Sequence, residues 1–266
     1  MKYQGNITKM KSNLTDTVEY LLPIGEEQIP LNQFIGKKID LTYLQQINCI
    51  ACGKKTKKSF GQGFCYTCFT DAPEASECVL QPDKCQAHLG ISRDTEWAQQ
   101  HCLAPHVVYL ALSSNLKIGI TRLTQIPTRW IDQGASSAII VAQTPNRHIA
   151  GIIEKFLMQH YSDKTNWQGM LQGKSMEIDL LAEKEKACQY LPAELKQYCI
   201  DDKNITLLNF PIKQFPDKVK SVTFDNIDKI EGMLTGIKGQ YLILDNSSVL
   251  NIRRHNGYLV ELNITE

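Results

Sequence analysis

The stretch "HVVYLALSSNLKIGITRLTQIPTRWIDQGA" (residues 106–135) decides the fold at the centre of the chain. Two apolar runs, 107–112 and 116–121, flank Ser113, Ser114 and Asn115, a loop length and composition suited to a hairpin. Antiparallel pairing sets Leu112 opposite Leu116, Ala111 opposite Lys117, Leu110 opposite Ile118, Tyr109 opposite Gly119, Val108 opposite Ile120 and Val107 opposite Thr121. Side chains alternate across a strand, so one face carries Val108, Leu110, Leu112, Leu116, Ile118 and Ile120 and belongs to a core. The other face carries Tyr109 against Gly119, beside Lys117 and Thr121. A glycine opposite a tyrosine leaves room for a ring or a ligand close to the backbone.

Downstream, "TQIPTRWIDQGA" predicts a short helix with Pro127 in its first turn, Arg129 near its start and Gly134 as its stop. A strand, "SSAIIVAQT", follows. In "NRHIAGIIEKFLMQHY", Asn146 can cap a helix whose stripe is Ile149, Ile152, Ile153, Phe156 and Leu157, with Glu154 at the stripe's edge as a solvated residue. Between 107 and 160 lie five basic residues (Lys117, Arg122, Arg129, Arg147, Lys155) and two acidic ones (Asp132, Glu154), a local basic surface suited to phosphates. The whole chain is nearly neutral, with 29 basic against 28 acidic residues in 266, so distribution rather than bulk charge carries that argument.

Upstream, "CIACGKKTKKSFGQGFCYTC" holds two CxxC pairs, Cys49 with Cys52 and Cys65 with Cys68. Two such turns facing one another supply the four thiolates of a tetrahedral zinc cage, and Gly53 and Gly63 suit the tight turns. Lys54, Lys55, Lys57 and Lys58 lie between the pairs with no acidic residue from 49 to 69; the loop tip suits either phosphate contact or plain solvation. A second zinc is expected at Cys78, Cys85, His88 and Cys102, where His101 and His106 compete as ligands, because residues 71–105 are poor in apolar side chains and need a staple. Cys188 and Cys199 read as isolated buried thiols.

The start "MKYQGNITKMKSNL" is too polar for a signal peptide and no apolar run has bilayer-spanning length, so a cytoplasmic protein with no membrane partner is expected. Its nine cysteines then favour metal over a disulfide framework. No GxSxG, P-loop or GxGxxG pattern supports a serine hydrolase, an NTPase or a dinucleotide enzyme. Residues 175–200 predict helix with a break near Pro192, and the tail from about 204 predicts short strands. "GNITKMK" (5–11) resembles "GMLTGIK" (232–238), so two small β units at opposite ends are expected to pair or pack together.

A hairpin ending its first motif in Tyr, a K-I-G motif, an Arg on the next helix and a Glu on the one after resemble the GIY-YIG nuclease superfamily. Here these are Val107-Val108-Tyr109, Lys117-Ile118-Gly119, Arg129 and Glu154. Val107 replaces the first glycine and Lys117 the second tyrosine. The zinc clusters, "GITR", "PTRWIDQGA" and "GIKGQYL" also resemble an uncharacterised prokaryotic family described as a domain of unknown function. The superfamily resemblance implies metal-dependent phosphodiester hydrolysis, with Mg²⁺ or Mn²⁺ at Glu154, Tyr109 assisting deprotonation of water and Arg129 steadying the phosphate, a place Arg122 can also take. Gly119, Thr121, Arg122, Lys54 and Lys55 would contact the substrate, DNA or RNA.

The expected fold class is α+β. An N-terminal β unit (1–48) and a zinc-binding segment (49–105) precede a GIY-YIG-like core with a helical extension (106–200), and a C-terminal β unit (201–266) follows. Three functions remain open, the first two being a zinc-containing nuclease and an adaptor that binds nucleic acid or protein with the fold but without catalysis. A purely structural zinc protein is the third.

Overall fold

A computed structural model describes residues 1–265. The chain forms two compact units, one of residues 1–70, 171–173 and 208–266, the other of residues 71–170 and 174–207. The zinc-binding segment expected at 49–105 is thus divided between them, and the two terminal segments lie in the same unit.

In the first unit, strands run in the order Lys2–Asn6, Tyr258–Thr265, Lys38–Asn48, Lys229–Lys238, Tyr241–Leu244, Ser248–Asn251 and Lys220–Val222, with Lys55–Thr56 paired to the end of Lys38–Asn48. Every pairing is antiparallel except that of Lys220–Val222 with Ser248–Asn251. The terminal segments meet directly, Lys2 opposite Asn263 and Asn6 opposite Leu259. Alternation explains this: Val260, Leu262 and Ile264 of the last strand point into the core, while the residues between them are half-buried. A smaller sheet, Lys11–Asn13, Glu19–Ile24 and Glu27–Pro30, adds Tyr20, Leu22 and Ile24 to the buried apolar set.

The second unit carries a four-stranded antiparallel sheet in the order Thr206–Leu207, Ser137–Thr144, His106–Leu112, Leu116–Arg122. The hairpin register agrees with the expected one at all six pairs from Val107–Thr121 to Leu112–Leu116. Its apolar face packs Val108, Leu110 and Ile118 with Ile153 and Leu157 of the helix Arg147–Leu157 and with Leu180 and Ala187 of the helix Leu180–Tyr190. Asn146 caps the first of these helices by accepting from Ile149 N at 3.0 Å. The buried stripe of that helix is rotated from the expected one. Ala150 and Gly151 face inward and Ile152 is exposed, because Gly151 lies against the backbone of Pro82 and Asp83, where a Cβ would come within 2.4 Å of both.

The helix break near Pro192 appears as expected, between Leu180–Tyr190 and Ala193–Lys196. One expectation is overturned here: Cys188 and Cys199 are joined as a disulfide. The chain reverses at Pro192, and Ile200 N then bonds Val141 O while Gln143 N bonds Tyr198 O, which returns Cys199 to the helix carrying Cys188.

Candidate functional site

The first thiolate group is Cys49, Cys52, Cys65 and Cys68, whose four sulfurs lie within 4.8 Å of one another. Zinc bound at about 2.3 Å from each sulfur separates tetrahedral ligands by roughly 3.8 Å, and the Sγ atoms of Cys52 and Cys65 are 3.9 Å apart. Each knuckle is closed by backbone bonds, Gly53 N to Cys49 O at 2.8 Å and Phe64 N to Phe60 O at 2.9 Å, with Gly53 in the left-handed region at φ +71°. Burial pushes the Cys49 thiol up, but backbone N–H groups of Cys65, Cys52 and Ala51 donate to it and bring it down to about 6. Those backbone donors favour a thiolate at Cys49, the form that binds zinc. Lys54 and Lys55 are exposed on the same loop.

The second group is Cys78, Cys85 and Cys102, again with sulfurs within 4.8 Å. His88, expected as its fourth ligand, does not join it. Cys85 closes the 3-10 turn Pro82–Lys84, whereas His88 lies in a separate turn, Ala87–Leu89, that carries it to the surface, where it stacks on His148 at 4.3 Å. Of the competing histidines, His101 bonds Trp97 O through Nδ1 at 2.9 Å and stacks on the Trp97 ring, while buried His106 bonds Ala104 O at 2.8 Å. Among the described residues no further His, Asp or Glu atom joins the three sulfurs. Cys78, Cys85 and Cys102 would hold zinc through three thiolates, and the three cysteines line a cleft of about 390 Å³.

This cluster also braces the helix of Glu154. Buried Arg147 donates to Cys78 O at 3.2 Å and to His101 O at 3.0 Å, and Arg147 N donates to Cys102 O at 2.8 Å. Its guanidinium offsets negative charge on the sulfurs. Farther along, Lys155 pairs with Asp83 at 2.5 Å. The helix is therefore tied to the cysteine segment at its start and near its end.

The third group is built on Tyr109 and Lys117 of the hairpin's other face, together with Arg129 and Glu154. Tyr109 is fully buried, its ring edge-on to Trp130 at 5.9 Å and its hydroxyl donating to Gln133 Oε1 at 2.9 Å. Trp130 and Gln133 come from the short helix Thr128–Asp132 and the residue after it, so the segment "PTRWIDQGA" covers this face. Lys117 is also buried, at 4% exposure, and burial, then the neighbouring Arg129 charge, lowers its ammonium to about 8. Glu154 is half-buried rather than solvated; burial raises its carboxyl to about 7, while Arg129 and Lys117 pull it down and Asp163 and Asp83 push it up. Arg129 lies near enough to Tyr109 to act against the burial that raises the phenol, and its Nε is buried without a hydrogen-bond partner.

The fold thus brings Tyr109, Lys117, Arg129 and Glu154 into one neighbourhood, with Gly119 directly against the Tyr109 ring. Thr121 is half-buried farther along the hairpin, opposite Val107. Arg122 sits at the hairpin's far end opposite His106, where it feels Arg147 and Cys102 rather than Glu154. Gln133 and Asp163 escaped the sequence reading: Gln133 lies just past a helix end, and Asp163 in the exposed segment after Tyr161 that pairs back on Lys117 and Ile118.

A mixed α+β scaffold carrying a four-cysteine and a three-cysteine cluster, each able to hold zinc, defines the class. The chain belongs to the family described as "Protein of unknown function (DUF2797)", which residues 36–260 match. No curated protein and no solved structure matches it. Among the described residues no helix is long and apolar enough to cross a membrane.

Proposed function

We propose that the protein is a zinc-containing nucleic-acid-binding phosphodiesterase whose site is built from Lys117, Arg129, Glu154 and Tyr109. The observation that carries this is the collection of Lys117 and Arg129 with Glu154 and Asp163, in which the buried Nε of Arg129 lacks an acceptor. A phosphate oxygen supplies such an acceptor to the guanidinium. The resemblance to the GIY-YIG superfamily, through Tyr109, Lys117-Ile118-Gly119, Arg129 and Glu154, supports the same reading.

Glu154 would hold the divalent ion. Mg²⁺ is commonly bound through one or two carboxylates plus water and substrate phosphates, which fits a site offering one half-buried carboxylate. When bound, the ion supplies charge stabilisation to the phosphoryl oxygens. Arg129 adds a guanidinium aimed at the same developing charge. Lys117 is the better proton acceptor: burial brings it to about 8, so about a tenth of it is neutral at pH 7, far more than of an exposed lysine. Tyr109 is fully buried, its hydroxyl is engaged with Gln133, and burial raises its phenol. It acts as a positioning residue that holds the covering helix in place.

The test incubates zinc-loaded protein with single- and double-stranded DNA and RNA in Mg²⁺ or Mn²⁺. Cleavage of at least one substrate is expected, abolished by Glu154→Gln with binding retained. Absence of cleavage on every substrate, or equal cleavage by Glu154→Gln, overturns the phosphodiesterase and leaves a binding adaptor.

A further inference from the structure

The first unit contains a cleft of about 580 Å³, within the size range of small-ligand pockets, that the phosphodiesterase reading does not use. It opens where the strand Lys38–Asn48 bulges. Between the pairs Tyr258–Ile47 and Val260–Tyr43 the register shifts, so three residues of one strand oppose a single residue of the other. Bulges of this kind re-aim side chains and recur beside binding sites. The extra length is taken up with Gln45 at φ +56°, and Gln62, which also lines the cleft, has φ +69°. Only two other non-glycine residues among those described have positive φ, Asp245 and Asn246, types that tolerate it. Glutamine has no such tolerance, and strained backbone concentrates where a ligand is held.

The lining has two chemistries. Its floor is aromatic: half-buried Tyr43 lies 5.1 Å from the Tyr258 ring and 5.8 Å from the Phe224 ring, both of which are buried. The rim is polar and charged. Asp225 accepts from the Tyr258 hydroxyl and from Arg254, each at 2.8 Å, so its charge is already matched. Asp228 accepts from Gln45 Nε2 at 2.6 Å and keeps a second oxygen for another donor. Asn226 also lines the cleft. Lys57 and Lys58 of the zinc-knuckle loop complete the lining, both exposed.

A ligand that satisfies this lining has a flat ring, an edge bearing donors and acceptors, and an anionic group beyond the ring. We propose that the cleft binds a nucleotide, with its base against Tyr43, the base edge at Asp228, Gln45 and Asn226, and its phosphate at Lys57 and Lys58. The lysine-rich tip between the two CxxC pairs then has a task that Lys54 and Lys55, which are not part of the lining, do not share. A simple anion would leave the aromatic floor and Asp228 unused. A simple cation would face three basic side chains against two carboxylates, one of them already paired. This proposal does not involve Glu154 and requires no cleavage.

Isothermal titration of the full-length, zinc-loaded protein with AMP, GMP, CMP and UMP, their nucleosides and inorganic phosphate tests it. At least one nucleotide is expected to bind with Kd below about 1 mM. Tyr43→Ala should weaken it by about tenfold or more, as loss of base stacking does, while Tyr43→Phe binds as wild type. The double variant Lys57→Ala/Lys58→Ala should weaken the nucleotide and leave its nucleoside unchanged. Zinc content and thermal midpoint, measured on each variant, separate misfolding from lost contacts. The proposal is overturned if no nucleotide binds up to about 10 mM. It is equally overturned if inorganic phosphate binds as well as every nucleotide, or if the folded lysine double variant and Tyr43→Ala both retain wild-type affinity.

Discussion

Gly119→Ala tests the packing that holds the Tyr109 face together. A Cβ at this position would fall 2.7 Å from the Tyr109 hydroxyl oxygen, 2.9 Å from Cζ and 3.2 Å from Cε2. Ordinary non-bonded separations are about 3.5–4.0 Å, so the ring must move by roughly 0.5–1 Å. Tyr109 has little freedom to do so, being fully buried between Trp130 and the Gln133 side chain that accepts its hydroxyl. Overpacking of this kind costs about 1–3 kcal/mol, and weakening the Tyr109–Gln133 bond adds about 1 kcal/mol. Against this, replacing glycine lowers unfolded-state entropy by up to about 1 kcal/mol. The net expectation is destabilisation by about 2 kcal/mol, or roughly 5–10 °C in thermal midpoint for a unit of this size. Trp97, Trp130 and Trp167 all belong to that unit and the other unit has no tryptophan, so tryptophan emission during denaturation reports it selectively. In a Tyr109→Phe background the closest clash is removed, and the cost of Gly119→Ala should fall by about half. A Gly119→Ala protein within about 0.5 kcal/mol of wild type, or an undiminished cost in the Tyr109→Phe background, refutes the reasoning.

The other expectations concern metal, a buried charge and the hairpin lysine. Cys52→Ser and Cys85→Ser should each remove about one zinc equivalent by elemental analysis, and wild type with well under one zinc per chain contradicts both sites. Cys85→Ser should also alter Trp97 emission, because Arg147 lies over that ring at 5.7 Å and is bonded to the Cys78 carbonyl. Lys238 is 4% exposed and burial lowers its ammonium to about 8, so the unfolded chain binds its proton more tightly and stability is penalised below pH 8. Lys238→Met should therefore stabilise the protein at pH 7 by up to about 3 kcal/mol, less the cation–π contacts with Phe210 and Phe215. That gain should shrink as pH rises from 8 towards the unfolded lysine value, and a gain independent of pH contradicts the assignment. Lys117→Met should slow cleavage by on the order of 10²- to 10⁴-fold with oligonucleotide binding retained; a loss of binding alone would make Lys117 a phosphate anchor.

What the sequence made legible follows from how local each signal is. The hairpin register was readable because a slip by one residue would turn Val108, Leu110 and Ile118 away from their core. The four-cysteine cluster was readable because both CxxC pairs are short local turns. The Asn146 cap and the break at Pro192 are likewise local. What stayed hidden depends on chain segments meeting at a distance. Pairing of Cys188 with Cys199 requires the reversal at Pro192, and the place of Gly151 in the helix stripe is set by Pro82 and Asp83, far away in sequence. His88 had ligand-like spacing from Cys85, but successive 3-10 turns leave no periodic signature and point it elsewhere. Glu154 looked solvated because helical periodicity sees only its own helix, not Lys117 and Arg129 on neighbouring elements. The aromatic cleft was invisible for a similar reason, since the bulge at Gln45 is made without glycine and its rings come from opposite ends of the chain.

The central claim is that Glu154 holds a divalent ion beside a phosphate site. Crystals of the zinc-loaded protein soaked in Mn²⁺ and measured for anomalous scattering test it most directly. A manganese peak is expected within about 2.0–2.3 Å of a Glu154 carboxylate oxygen, absent from Glu154→Gln crystals treated identically. A map with no manganese at Glu154, or a peak there that persists in Glu154→Gln, contradicts it.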